Sequence, residues 1–96
     1  MRVIAKRALR EFWVHHPDSE QPLKAWHQEA VRADWSNPAE VKAQYRNASL
    51  VGDRVVFNIA GNKYRLVVWI NYSVQIAFVK FVGTHREYDK IDVKTV

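Results

Sequence analysis

The 96 residues predict an α+β fold, an antiparallel sheet with an N-terminal helical hairpin packed on one face. Two observations carry that expectation. Apolar residues recur at helical spacing between Lys6 and Ala33. Beyond Gly52 the pattern changes to strand-like runs rich in Val, Ile, Phe and Tyr. Helical and strand patterns are segregated along the chain rather than alternating, which favours α+β over a parallel α/β arrangement. The length suits one domain, residues 1–96, with a modest core.

Each element has a local reason. Met1 to Ala5 is short and β-prone, an edge or central strand. From Lys6, the side chains Ala8, Leu9, Phe12 and Trp13 form one face of a helix, and Arg7, Arg10 and Glu11 face away. His15-His16-Pro17 ends it, because the residue before proline avoids the α region. A second helix starts at Asp18 or Ser19, where Asp18 and Gln21 resemble a capping box, and Leu23, Trp26, Ala30 and Ala33 make its stripe. After the break at Trp35-Ser36-Asn37-Pro38, Asn37 is a helix cap and Pro38 a first helical residue for a short helix to about Tyr45. Gly52-Asp53 is a turn, Arg54 to Ala60 a strand and Gly61-Asn62 a hairpin turn. Lys63 to Asn71 is a long strand whose VVWI run predicts burial on both faces. Tyr72-Ser73 is a turn and Val74 to Val82 the last strand. Gly83 releases the chain, and Thr84 with Glu87 caps a final helical turn.

Composition narrows the function classes. There is no cysteine, so disulfide and thiolate chemistry are excluded, and a reducing cytoplasm fits. No run is apolar enough to cross a bilayer, and the N-terminus becomes charged too early for a signal peptide. The expectation is a cytoplasmic protein with no membrane partner. The formal charge is +5 and the pI about 9.7, a balance that suits an anionic partner such as nucleic acid or an acidic protein. The excess is uneven. Residues 1–45 carry seven Lys and Arg against six acids, and residues 46–96 carry eight against four. No set of His or carboxylates has metal-ligand spacing, and there is no phosphate-binding loop or serine-nucleophile motif, so neither metal nor cofactor is expected.

The basic half gathers the candidate site residues. Lys63 and Arg65 begin a strand after a tight turn, and alternation puts both on one face with Tyr64 on the other. Such a pair can grip a phosphate, Arg in bidentate fashion. The plain alternative is two solvent-facing cations, weaker for Arg65 because it opens a buried run. His85 and Tyr88 lie three apart on the capped turn and share a side. An imidazole can move protons near neutrality and a phenol can donate one. The alternative is a packing His and Tyr at a helix start. Arg86 and Lys90 read as solvated charges with some phosphate attraction. Asn62 could touch a base or phosphate, but the turn already explains it. Glu87 is explained by capping, with a general-base role as its alternative. His15 and His16 read as a helix end, His27 as surface, and the four Trp mostly as packing anchors.

VGDRVVFNIAGNKYRLVVWINY followed by FVGTHREYDKID resembles the HigB-type toxins of the RelE-like superfamily. The segments LREFW, HPDSEQPLKAWHQE and ADWSNPAEVK extend the resemblance over nearly the whole chain. It implies a RelE-like fold and an endoribonuclease, an mRNA interferase, that cleaves mRNA during translation on the ribosome and thereby blocks protein synthesis. It implies a chemistry without metal, in which the ribose 2′-hydroxyl attacks the adjacent phosphate and the 5′-oxygen leaves. It also implies a silencing partner, a helix-turn-helix antitoxin. On this resemblance Arg65 in YRLVV stabilises the charged phosphate, and Lys63 in GNKYR grips substrate. His85 and Tyr88 in THREYD occupy the proton-transfer positions. Catalytic groups vary between branches, so the choice of base stays open. The rival expectation from another class is a binding module without catalysis, one that holds RNA or tunes its antitoxin's grip on operator DNA.

Overall fold

Helical spacing in the first half becomes three helices in the computed structural model, which describes residues 1–96. A short strand β1 (Arg2–Ile4) leads into α1 (Lys6–His15), and α2 (Glu20–Arg32) follows after a 3₁₀ turn at Pro17–Ser19. The short helix α3 (Pro38–Gln44) has Asn37 as its cap, whose Oδ1 accepts from the Glu40 N–H at 3.1 Å. Then come β2 (Ser49–Val51), β3 (Arg54–Ile59), β4 (Tyr64–Asn71), β5 (Ile76–Thr84) and a last helical turn, α4 (His85–Tyr88).

The strands form one sheet in the order β1-β5-β4-β3-β2, so β4 is central. β2 through β5 are antiparallel, in line with the sequence expectation. β1 departs from it: this strand lies parallel to β5 at the edge, Arg2 opposite Ile76 and Ile4 opposite Phe78, which makes the sheet mixed. All the helices but the last intervene between β1 and the antiparallel strands, and such a long connection lets two strands run the same way.

Alternation along the strands builds the core. Val55, Phe57 and Ile59 of β3 face Leu9, Leu23, Trp26, Ala30, Trp35 and Val41 of the helical layer, together with Tyr64, Leu66, Val68 and Ile70 of β4. Trp26, Phe57, Trp35 and Tyr45 pack edge-to-face or stacked at centroid distances of 5.1–6.5 Å. The opposite face is not bare. Val56 and Val67, in register across β3 and β4, are fully buried there. Trp69 stacks on Phe78 at 5.1 Å, and Arg54 Nη2 donates to the Val96 carbonyl at 2.8 Å, drawing the C-terminal segment to the sheet. The two-faced burial read from VVWI is therefore present.

Four local expectations change. The Asp18–Gln21 capping box does not form; no side chain caps α2, and the Asp18 carboxylate is occupied elsewhere by a cation and a phenol. β2 is an additional strand, too short to show a period, that folds back on β3 around Gly52 (φ 61°). The last strand begins at Ile76 rather than Val74, after Gln75 at φ 60°. Gly83 does not end that strand; it lies within β5, buried and opposite Arg65.

Candidate active site

β4 and β5 run antiparallel, so the start of one lies beside the end of the other. The register pairs Tyr64 with Thr84 and Arg65 with Gly83. Two local structures meet there. One is the 60–63 turn between β3 and β4, where Ala60 (φ 54°) and Gly61 (φ 69°) both take the left-handed conformation that reverses the chain. The other is α4. They are joined directly: the His85 N–H donates to the Lys63 carbonyl at 3.2 Å.

α4 is held by the capping box foreseen in the sequence. Thr84 Oγ1 accepts from the Glu87 N–H at 3.1 Å, and Glu87 Oε1 accepts from the Thr84 N–H at 2.8 Å. These bonds, led by the one from the Thr84 backbone, hold the Glu87 carboxyl below its ordinary value. A carboxylate so engaged is a poor proton acceptor, which fits its capping role.

Arg65 is the most constrained cation of the region. Its Nη1 donates to the carbonyls of Asn62 (3.1 Å) and Tyr64 (3.3 Å), and its Nη2 donates to Asn62 Oδ1 (2.8 Å). The guanidinium carbon sits 5.9 Å from the Tyr88 ring centroid, within cation–π range. Asn62 thus works through both its backbone and its side chain as the holder of Arg65. On α4, His85 is exposed and places Nδ1 3.2 Å from Asp89 Oδ2, an ion pair when the imidazole is protonated. That contact orients the ring and leaves Nε2 on its opposite side.

Lys63 behaves differently from the alternation expectation. It belongs to the turn, outside β4, and its ammonium pairs with Asp18 at the start of the helical layer rather than joining Arg65. The Asp18 carboxylate also accepts from Tyr64 Oη at 2.5 Å. The hydrogen bonds from Lys63 and Tyr64 hold the Asp18 carboxyl below its ordinary value, and the same bonds raise both partners. Arg86 and Lys90 are exposed, and neither is in an ion pair; the charge of Lys90 reaches Glu87. The structure therefore brings Arg65, Asn62, Tyr88 and His85 to one end of the sheet, with Lys63 turned to the side that carries Asp18.

Three residues escaped the sequence reading. Asp89 was findable, being four residues beyond His85 on a helical turn. Asp18 and His16 were not, since each reaches Tyr64 across more than 45 residues. The His16 ring stacks on Phe12 at 4.3 Å, lies edge-on to Tyr64 at 5.4 Å and acts electrostatically on Glu87. Beside the turn runs a polar cleft of about 340 Å³ lined by Tyr45, Arg46, Asn47, Asn58 and Gly61 among others. Asn58 is the cross-strand neighbour of Arg65, so the cleft abuts the same end of the sheet. No three His, Cys, Asp or Glu side chains cluster as metal ligands would, and no helix is long and apolar enough to cross a membrane.

A family profile described as HigB_toxin, RelE-like toxic component of a toxin-antitoxin system, matches residues 19–91. The chain is similar to the mRNA interferase HigB of Escherichia coli O6:H1 (strain CFT073), 28% identical over 94 residues that cover 95% of this chain and 91% of that protein. It is also similar to the mRNA interferase toxin HigB of Escherichia coli (strain K12), at 27% identity over 92 residues, 93% of this chain and 88% of the relative. The mRNA interferase HigB of Shigella flexneri matches to the same extent.

Proposed function

The chain belongs to the HigB family of RelE-like toxins, and from that premise we propose that it is an mRNA endonuclease whose residues 1–96 act as one toxin domain. The substrate is messenger RNA, engaged on the ribosome in the cytoplasm, and the outcome is arrested translation. A helix-turn-helix antitoxin binds and silences it. One observation carries the assignment: Arg65, fixed by Asn62 and within cation–π range of the Tyr88 ring, stands beside the four-residue turn that also bears His85.

The chemistry follows from what such groups do. The ribose 2′-hydroxyl attacks the neighbouring phosphorus, and the bond to the 5′-oxygen breaks. This leaves a 2′,3′-cyclic phosphate and a 5′-hydroxyl, with no water consumed and no metal required. His85, with Nδ1 turned to Asp89, takes the 2′-hydroxyl proton at Nε2. Tyr88 gives its proton to the departing 5′-oxygen and later recovers one through His85 and solvent. Arg65 neutralises the charge that builds on the phosphoryl oxygens, the larger share of the effect because its position is set before substrate arrives. Lys63, Arg86 and Lys90 attract the flanking phosphates.

Arg65→Ala is expected to abolish growth inhibition on induced expression while the protein stays folded by circular dichroism. Primer extension on transcripts taken shortly after induction should show discrete new 5′ ends with the wild type and none with the His85→Ala/Tyr88→Ala double variant. Full toxicity of a folded Arg65→Ala protein overturns the assignment. His85→Ala alone should slow cleavage by roughly 10²–10⁴-fold.

A further inference from the structure

We propose that Asp18, from the turn between α1 and α2, is a positioning residue for this cleavage centre. The inference rests on the endonuclease reading for its substrate, and on geometry for its mechanism. Asp18 does not touch Arg65, His85 or Tyr88. Its carboxylate spans Tyr64 Oη and the Lys63 ammonium, two consecutive side chains at the junction of the 60–63 turn and β4. From that junction two bonds lead into the site. The Lys63 carbonyl takes the His85 N–H and so sets the start of α4. Asn62, the next residue back, supplies two of the three oxygens that hold Arg65 Nη1 and Nη2, and the Tyr64 carbonyl supplies the third. A single carboxylate on the helical layer therefore pins the hub from which both the phosphate cation and the proton-transfer turn are hung.

The hub needs such a pin. The turn contains a non-glycine residue in the left-handed region, Ala60, and lies at the far end of a hairpin with Gly61, Asn62 and Lys63 all exposed. Tyr64 supplies the rigid point. The residue is 6% exposed, and its ring packs edge-on against Phe12 at 5.2 Å and His16 at 5.4 Å. Asp18 connects that anchored ring to the exposed ammonium beside it. The same bond keeps Lys63 occupied before RNA binds, so losing Asp18 frees a cation while it loosens the turn. Those two consequences pull in opposite directions on binding and on rate, which separates positioning from a simple contribution to affinity.

The test measures mRNA cleavage in a translating extract over a range of toxin concentrations, for wild type, Asp18→Asn, Asp18→Glu and the remote surface control Glu11→Gln. Expected for Asp18→Asn is a maximal rate lower by roughly 10–100-fold, with the half-saturating concentration unchanged or lower. Asp18→Glu, which keeps the carboxylate, recovers part of the rate, and Glu11→Gln matches wild type. A wild-type maximal rate in Asp18→Asn overturns the inference, and so does a raised half-saturating concentration at constant rate. A second readout is independent of activity: the nuclear magnetic resonance signals of the Arg65 guanidinium and Tyr88 ring should shift in Asp18→Asn and not in Glu11→Gln. Unmoved signals overturn the positioning claim even if RNA cleavage fails in every sample. Absent cleavage by wild type with shifted signals instead counts against the endonuclease reading and leaves the positioning standing.

Discussion

Gly83 shows how much a single position can constrain this protein. A Cβ built there would lie 2.5 Å from Phe81 Cζ, 2.9 Å from its Cε2 and 3.2 Å from Glu87 Oε1. The glycine is present because a phenyl ring crosses over it, directly opposite Arg65. Gly83→Ala is expected to cost about 1–3 kcal/mol in urea unfolding, and a Phe81→Leu background should relieve most of the loss. The sequence suggested a glycine that lets the chain leave the strand, because a ring two residues away is invisible to turn statistics. Arg65 drew notice in the sequence for the opposite reason. A cation at the mouth of an apolar run needs a partner or a purpose, and that oddity shows in the string of letters alone. Asp18 carried no such mark, since its partners are brought to it only by the folded hairpin.

At the scale of elements, the signals that read well were those spanning three or four residues. Two of the three caps expected from sequence, Asn37 on α3 and Thr84 on α4, are formed with the predicted acceptors, and the Asp18 cap on α2 is not. The two that form offer a matched comparison. Asn37→Ala and Thr84→Ala should each cost about 1 kcal/mol in chemical denaturation. Only Thr84→Ala should also lose RNA cleavage, because α4 carries His85 and Tyr88 while α3 carries none of the proposed reacting groups. Equal cleavage by the two variants would remove α4 geometry from the mechanism. What could not be read were β2 and the direction of β1. A strand of three residues shows no alternation to detect, and parallel pairing is decided by a partner more than seventy residues away.

The whole molecule responds to acid through carboxylates that the fold has put to use. Asp18 and Glu87 both lie below their ordinary values of 3.8 and 4.5, Asp18 mainly through the Lys63 bond and Glu87 mainly through the Thr84 backbone. A carboxyl depressed on folding adds stability above its unfolded value, and that stability drains away as pH falls through the folded one. Wild-type unfolding free energy should therefore decline as pH drops below about 4.5, and the Asp18→Asn/Glu87→Gln double variant should decline less steeply over the same range. Parallel slopes in a urea titration series would show that neither group is coupled to folding. Fold class, the helices of the first half and the clustering of charge in the second half were visible from composition and period. The junction between hairpin and turn was not, because it exists only where two layers touch.

The pairing of β1 with β5 has a consequence for the order of assembly. Residues 2–4 find their neighbours only at 76–78, and the strand that supplies those neighbours runs directly into the turn bearing His85 and Tyr88. During synthesis this opening strand must wait, unpaired, until residues 76–78 have emerged. The α1–α3 helices and the β2–β3–β4 meander can collapse early on local contacts, but the sheet closes last, together with α4. The junction that sets Arg65 beside α4 is thus completed in one late step rather than accumulating as the chain lengthens.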